Sequence, residues 1–192
     1  IGRRHSADRL FEAYKLARLC GFDNINTDLI AGLPGDDYDG FKLSLEKLIG
    51  LAPESITVHT LAMKRASNFM KNYSGLDDCS SQSVRMVDLS ICKLKSAGYR
   101  PYYLYRQSRT VGGTENTGWS KPSYEGLYNV FMMDETHTVL ACGAGAVTKL
   151  KQPDGDCIER IFNYKFPYEY NERFDDMIQR KGRVISFYET FF

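Results

Sequence analysis

NTDLIAGLPGD, residues Asn26 to Asp36, sets a carboxylate in the middle of a short apolar strand and then breaks the chain at Gly32, Pro34 and Gly35. An unpaired buried carboxylate costs several kcal/mol or takes up a proton, so Asp28 at such a place calls for a partner. Alternation puts Asn26, Asp28 and Ile30 on one face and Ile25, Thr27, Leu29 and Ala31 on the other. A second strand, Ser55 to Leu61, repeats the pattern, with Thr57 and His59 opposing Ile56, Val58 and Thr60.

Between these strands Phe41, Leu45 and Leu48 recur at helical spacing up to Gly50, and strand, helix, strand with short joints predicts a parallel βαβ unit. Helices on the apolar faces would turn both polar faces toward one lumen, which suits an α/β barrel better than a sheet packed on both sides. A first helix runs from an N-cap at Ser6 through Leu10, Tyr14 and Ala17 to Gly21. GLPGDD lacks the lysine and spacing of a phosphate-binding P-loop and is predicted to be a turn that launches the next helix.

Farther along, Val84, Val87, Ile91 and Leu94 mark a long amphipathic helix ending at Gly98, and 101–106 reads as an aromatic strand. A polar loop is predicted over 107–124, then strands at 128–133, 138–142 and 158–163, and a last helix from Pro167 to Gly182.

The chain has 192 residues, 43% of them hydrophobic, and its 25 basic and 24 acidic residues nearly cancel. That balance gives no field for nucleic acid or an anionic membrane surface, and no apolar run reaches the ~18 residues of a membrane helix. With no signal-peptide pattern at Ile1, the expectation is a soluble cytoplasmic protein. Five scattered cysteines and three isolated histidines form neither a disulfide framework nor a metal motif, so no metal site is expected from this chain alone.

IGRRH, NTDLIAGLPGDD, PESITVHTLAMKRAS, GYRPYYLYRQ, ENTGW, YNV and LACGAGAVTK, taken in order, resemble the later half of the radical S-adenosylmethionine enzymes called oxygen-independent coproporphyrinogen III oxidases, in their HemZ-type branch. The resemblance implies the C-terminal part of a partial (βα)6 radical-SAM barrel over 1–66, followed by a small α+β substrate-covering region over 67–192. It implies S-adenosylmethionine and a 4Fe-4S cluster as cofactors, and conversion of propionate side chains to vinyl groups by hydrogen abstraction and decarboxylation. The family holds its cluster with a CxxxCxxC motif that this sequence lacks, so its ligands are expected upstream and the fragment alone is expected to be inactive. By position, Arg3 and Asp28 correspond to residues that contact S-adenosylmethionine, and Ala62 to one whose backbone lies near the adenine.

A tetrapyrrole substrate is broad and apolar with carboxylates at its rim, so aromatic surface beside guanidinium groups suits it. Tyr105, Arg106, Gln107, Glu115 and Asn116 are the candidate substrate contacts, with Tyr103, Arg109 and Trp119 nearby, and Lys64 and Arg65 as further positive charge. His59 could touch either ligand or serve as a core residue. Two other functions stay open: a haem-binding carrier related to this family, or a radical enzyme acting on another substrate. The electron donor is unknown, and the edge at 25–31 is one through which a fragment could self-associate.

Overall fold

The computed structural model describes residues 6–62, 76–108 and 110–191. It divides into two compact units, Ile1–Gly126 and Leu127–Phe192.

In the first unit, α1 (Ala7–Leu19) starts at Ser6, whose hydroxyl accepts from the Arg9 amide, and Gly21 leaves it at φ +87°. Next come β1 (Asn26–Ala31), α2 (Tyr38–Gly50), β2 (Ser55–Thr60), α3 (Leu76–Ser96), β3 (Arg100–Tyr105) and β4 (Asn116–Ser120). The glycine-proline turn does what its composition demands: Gly32 and Gly35 take left-handed φ of +80° and +78°, and Asp37 caps α2 by accepting from the Gly40 amide at 2.8 Å.

The four strands form one sheet in the order β1-β2-β4-β3. β1 and β2 run parallel, with Asp28 opposite Thr57 and Ile30 opposite His59. β4 enters antiparallel to both β2 and β3. This corrects the loop predicted over 107–124, because ENTGW builds a strand in the middle of the sheet. Trp119, placed by the sequence among loop ligands, is 2% exposed and belongs to the core. A glycine inside a five-residue strand hides the β pattern from sequence reading.

One face of this sheet buries the core. Leu29, Ala31, Ile56, Val58 and Trp119 pack with Phe41, Leu45 and Leu48 of α2 and Met86 and Leu94 of α3. The buried stripe of α3 is Ser83, Met86, Ser90 and Leu94, whereas Val84 stays 37% exposed, so the predicted stripe is turned by part of a residue's arc. Ser83 and Ser90 fit because their hydroxyls donate to backbone carbonyls, of Val111 (3.0 Å) and Val87 (2.7 Å) respectively.

In the second unit, α4 (Leu127–Asp134) stands where a strand was predicted over 128–133, and 138–142 contributes only a single bridge, Val139 to Lys149. Short apolar runs do not distinguish strand from helix, and LYNVFMMD is such a run. β5 (Val147–Lys151) and β6 (Ile158–Phe162) pair antiparallel, and Leu150 and Ile161 pack with Phe187. The predicted last helix is two pieces, α5 (Pro167–Glu172) and α6 (Phe174–Lys181), and a further helix, α7 (Arg183–Glu189), follows it. Arg173 breaks the predicted helix with non-helical φ −114° and ψ 37°, and α6 ends as expected at Gly182, its C-cap, although Gly182 keeps right-handed angles.

Glu54 ties the start of the sheet to α1: it accepts from the Ile25 amide at 3.0 Å and pairs with Arg18 at 2.7 Å, its side chain 11% exposed. Burial acts upward on its carboxyl, but the Ile25 amide and the Arg18 guanidinium outweigh it and hold Glu54 below its ordinary value of 4.5. A depressed carboxyl contributes stability that is whole above the unfolded value and drains away as pH falls through the folded one. Denaturant unfolding followed from neutral pH downward is therefore expected to show Glu54→Gln about 1–2 kcal/mol less stable at pH 7. The difference should shrink below pH 4.5; a constant gap across that window contradicts the pairing.

Candidate functional site

The sheet face away from the core helices is polar. Residues paired across strands share a face, so the register brings Asp28, Thr57, Gly118 and Tyr103 into one row, while Asn116 and Tyr105 face each other farther along. His59 follows Thr57 by two positions and lies on the same side.

Asp28 is not the buried carboxylate that its apolar flanks predict. Its side chain is 59% exposed. Arg3, the expected partner, lies outside the described residues, as do Lys64, Arg65 and Arg109. Its neighbours among the described residues are Asn26, whose Nδ2 donates to Asp28 Oδ1 at 2.7 Å, and His59, whose Nε2 stands 3.8 Å from Oδ2. The imidazole is the main influence that holds the Asp28 carboxyl below the usual carboxylate range, against partial burial that pushes upward.

The network continues across the sheet. Thr57 Oγ1 donates to Asn26 Oδ1 at 3.2 Å and lies 3.4 Å from the Tyr103 hydroxyl. Tyr105 Oη lies 3.4 Å from His59 Nδ1. The Tyr103 and Tyr105 rings stack, with centroids 6.3 Å apart and planes 8° from parallel. Burial pushes both phenols up, so they remain protonated donors at neutral pH.

Asn116, a predicted substrate contact, is 1% exposed, and its Oδ1 accepts from the Thr60 amide at 2.6 Å. Its Nδ2 is buried without a partner, a donor left over at this face. Ala62, half-buried, bridges to Thr110 just beyond β2. Arg106 and Glu115 form an exposed ion pair at 3.7 Å, and Gln107 is exposed. Of the five predicted substrate contacts, the geometry therefore joins Tyr105 and Asn116 to the face that carries Asp28. The other three lie in the stretches that follow β3 and precede β4.

Gly118 was missed by sequence reasoning, and it makes this surface possible. A Cβ there would stand 1.8 Å from Cε1 of Tyr103, so the ring lies directly on the strand backbone. The signal was present as a glycine between Thr117 and Trp119, but only the pairing shows what it accommodates.

The residues present suit a nucleoside cofactor: an exposed carboxylate, held on one oxygen by Asn26 with His59 beside the other, can accept from ribose hydroxyls. They do not suit an iron-sulfur cluster. Cys20, Cys92, Cys142 and Cys157 are free and exposed on separate elements, and no group of metal-binding side chains occurs among the described residues. No helix among those residues is long and apolar enough to cross a membrane.

No family model matches the chain. Over 187 residues, 97% of its length, it is 40% identical to the oxygen-independent coproporphyrinogen-III oxidase-like protein HemZ of Bacillus subtilis. This chain is a homologue of the HemZ-type coproporphyrinogen-III oxidase-like proteins. It spans 37% of that protein. The heme chaperone HemW of Bacillus subtilis is 27% identical over 132 residues, covering 66% of this chain and 35% of that one. Among solved structures, coproporphyrinogen III oxidase HemN from Escherichia coli, a radical SAM enzyme, matches with a TM-score of 0.56 at 19% identity. The match covers 90% of this chain and 40% of HemN, and it bears out the α/β expectation and the place of the fold beside a radical SAM enzyme.

Gly118→Ala is expected to lift Tyr103 off the strand, costing about 1–3 kcal/mol of stability as other overpacked sites do. Thermal unfolding with near-ultraviolet circular dichroism of the tyrosines measures it. The double variant with Tyr103→Ala should recover most of the loss, and no recovery would show that the ring is not what the glycine makes room for.

Proposed function

We propose that this chain is the carboxyl-terminal portion of a radical S-adenosylmethionine enzyme that oxidatively decarboxylates coproporphyrinogen III propionates to vinyl groups. The observation that carries the proposal is the shared polar face: the carboxylate that the family resemblance assigns to the cofactor stands on the same sheet surface as two tyrosines suited to a flat tetrapyrrole.

In this reading Asp28 and Ala62, with Arg3, hold S-adenosylmethionine, and Tyr105 and Asn116 meet the substrate, with Arg106, Gln107 and Glu115 at its rim. Asp28, its carboxyl held below the usual carboxylate range with His59 beside it, is ionised and accepts hydrogen bonds at neutral pH. Tyr103 and Tyr105 offer apolar ring surface and protonated hydroxyls that can donate to a carboxylate. The chemistry that the cofactor supplies when bound is hydrogen-atom abstraction. The cluster that this chemistry requires is held by residues outside this chain, and the cell compartment proposed is the cytoplasm.

A second reading is a haem carrier, favoured by relatives named as heme chaperones, among them a putative HemW-like protein of Buchnera aphidicola that is 26% identical over 192 residues. Product analysis separates the two. Full-length, cluster-loaded protein given coproporphyrinogen III under anaerobic reducing conditions is expected to release carbon dioxide and form vinyl groups, and Asp28→Ala should lower the rate by about a hundredfold, the loss of roughly 3 kcal/mol. Recovery of unaltered haem with no carbon dioxide would establish the carrier instead.

A further inference from the structure

The proposed cofactor site leaves one matter open: what keeps an exposed carboxylate in a fixed orientation. Asp28 is 59% exposed, and a side chain so placed rotates freely unless its neighbours hold it. Building on the cofactor-binding reading above, we propose that His59 is a positioning residue, bridging the Asp28 carboxylate to the Tyr105 hydroxyl and so setting the direction in which Asp28 meets a ribose.

The geometry supports a bridge with two distinct ends. His59 Nε2 stands 3.8 Å from Asp28 Oδ2, and His59 Nδ1 stands 3.4 Å from Tyr105 Oη. The 3.8 Å contact is a close approach rather than a made hydrogen bond; an imidazole that donates toward an ionised carboxylate carries its proton on Nε2, which leaves Nδ1 to accept from the tyrosine. The two rings meet edge to face, with centroids 6.5 Å apart at 70°. Tyr105 is itself held, because it stacks on Tyr103 and Tyr103 rests on Gly118. A continuous line of contacts therefore runs from the strand backbone of β4 to the carboxylate on β1.

The second oxygen is held separately. Asn26 Nδ2 donates to Oδ1 at 2.7 Å, and Thr57 steadies Asn26 by donating to its Oδ1 at 3.2 Å. A carboxylate offers about four lone-pair positions, so one contact per oxygen leaves acceptors for a vicinal diol. The titratable side chains on the same face as His59 are Asp28 from β1 and Arg100, Tyr103 and Tyr105 from β3, and β4 adds the neutral amide of Asn116. Arg100 pairs with Ser120, away from the row of Asp28, and among the neighbours of Asp28 the imidazole has the largest lowering influence on its carboxyl.

The test uses the full-length protein labelled with carbon-13 at aspartate Cγ, with Asp28→Asn to assign the signal, and calorimetric titration with S-adenosylmethionine. In His59→Phe the Asp28 carboxyl midpoint is expected to move upward and S-adenosylmethionine affinity to fall about tenfold. His59→Gln keeps an N–H donor and should restore most of that affinity, and Tyr105→Phe should weaken binding by about threefold with the fold intact. An unmoved Asp28 midpoint in His59→Phe, or equal binding by His59→Gln and His59→Phe, overturns the bridge; should His59→Phe fail to fold, the same comparison is made between His59→Gln and Tyr105→Phe, where two wild-type affinities overturn it. The underlying reading fails separately, by unchanged S-adenosylmethionine binding in Asp28→Asn.

Discussion

The structure depends on a parallel strand pair that has one wet face and one dry face. β1 and β2 lie in register, and side chains alternate across them, so Leu29, Ile56 and Val58 are pressed under two helices while Asp28, Thr57 and His59 share the opposite surface. The apolar side supplies the stabilisation, roughly 25 cal/mol for each Å² removed from water, and it also sets the register. A slip of β1 by one residue would turn Asp28 toward the core and Leu29 toward the polar face together.

Around that pair the polar groups are placed by exchange of hydrogen bonds between side chains and main chain. Glu54 takes the Ile25 amide, Asn116 takes the Thr60 amide, and the Tyr99 hydroxyl donates to the Pro53 carbonyl at 2.6 Å. Each satisfies a backbone group near an end of β1 or β2, where the strand ladder gives out. Two of these three come from elements that are far away in sequence, so the ends of β1 and β2 are held by β4 and the residue before β3 as well as by their own neighbours. This is why a glycine in β4 and a tyrosine in β3 bear on a carboxylate in β1.

The cysteines illustrate the limit of a partial chain. Those described are dispersed and exposed, and their positions fit neither cluster nor disulfide. The described residues give this surface no metal cluster of its own, and the chain spans 37% of HemZ and 40% of HemN. What this chain contributes is a surface: an ionised acceptor and two protonated phenols on one sheet face.

Much of this was legible in the residues themselves. Local rules suffice for the N-cap at Ser6, the turn at Gly32 to Asp37 and the alternation in 26–31 and 55–60, because each depends on neighbours within a few positions. The same rules failed at 128–133, where an apolar run without clear period folds as a helix, and at 167–182, where one dihedral at Arg173 divides what composition joins. The candidate site split along the same line. Alternation alone put Asp28 and His59 on one side of their strands, whereas the partner of Asp28, the burial of Trp119 and the need for Gly118 arise from contacts between residues dozens of positions apart. Periodicity is carried by the covalent chain and can be read from it; which strand inserts beside which is decided by packing, and packing exists only once the chain has folded.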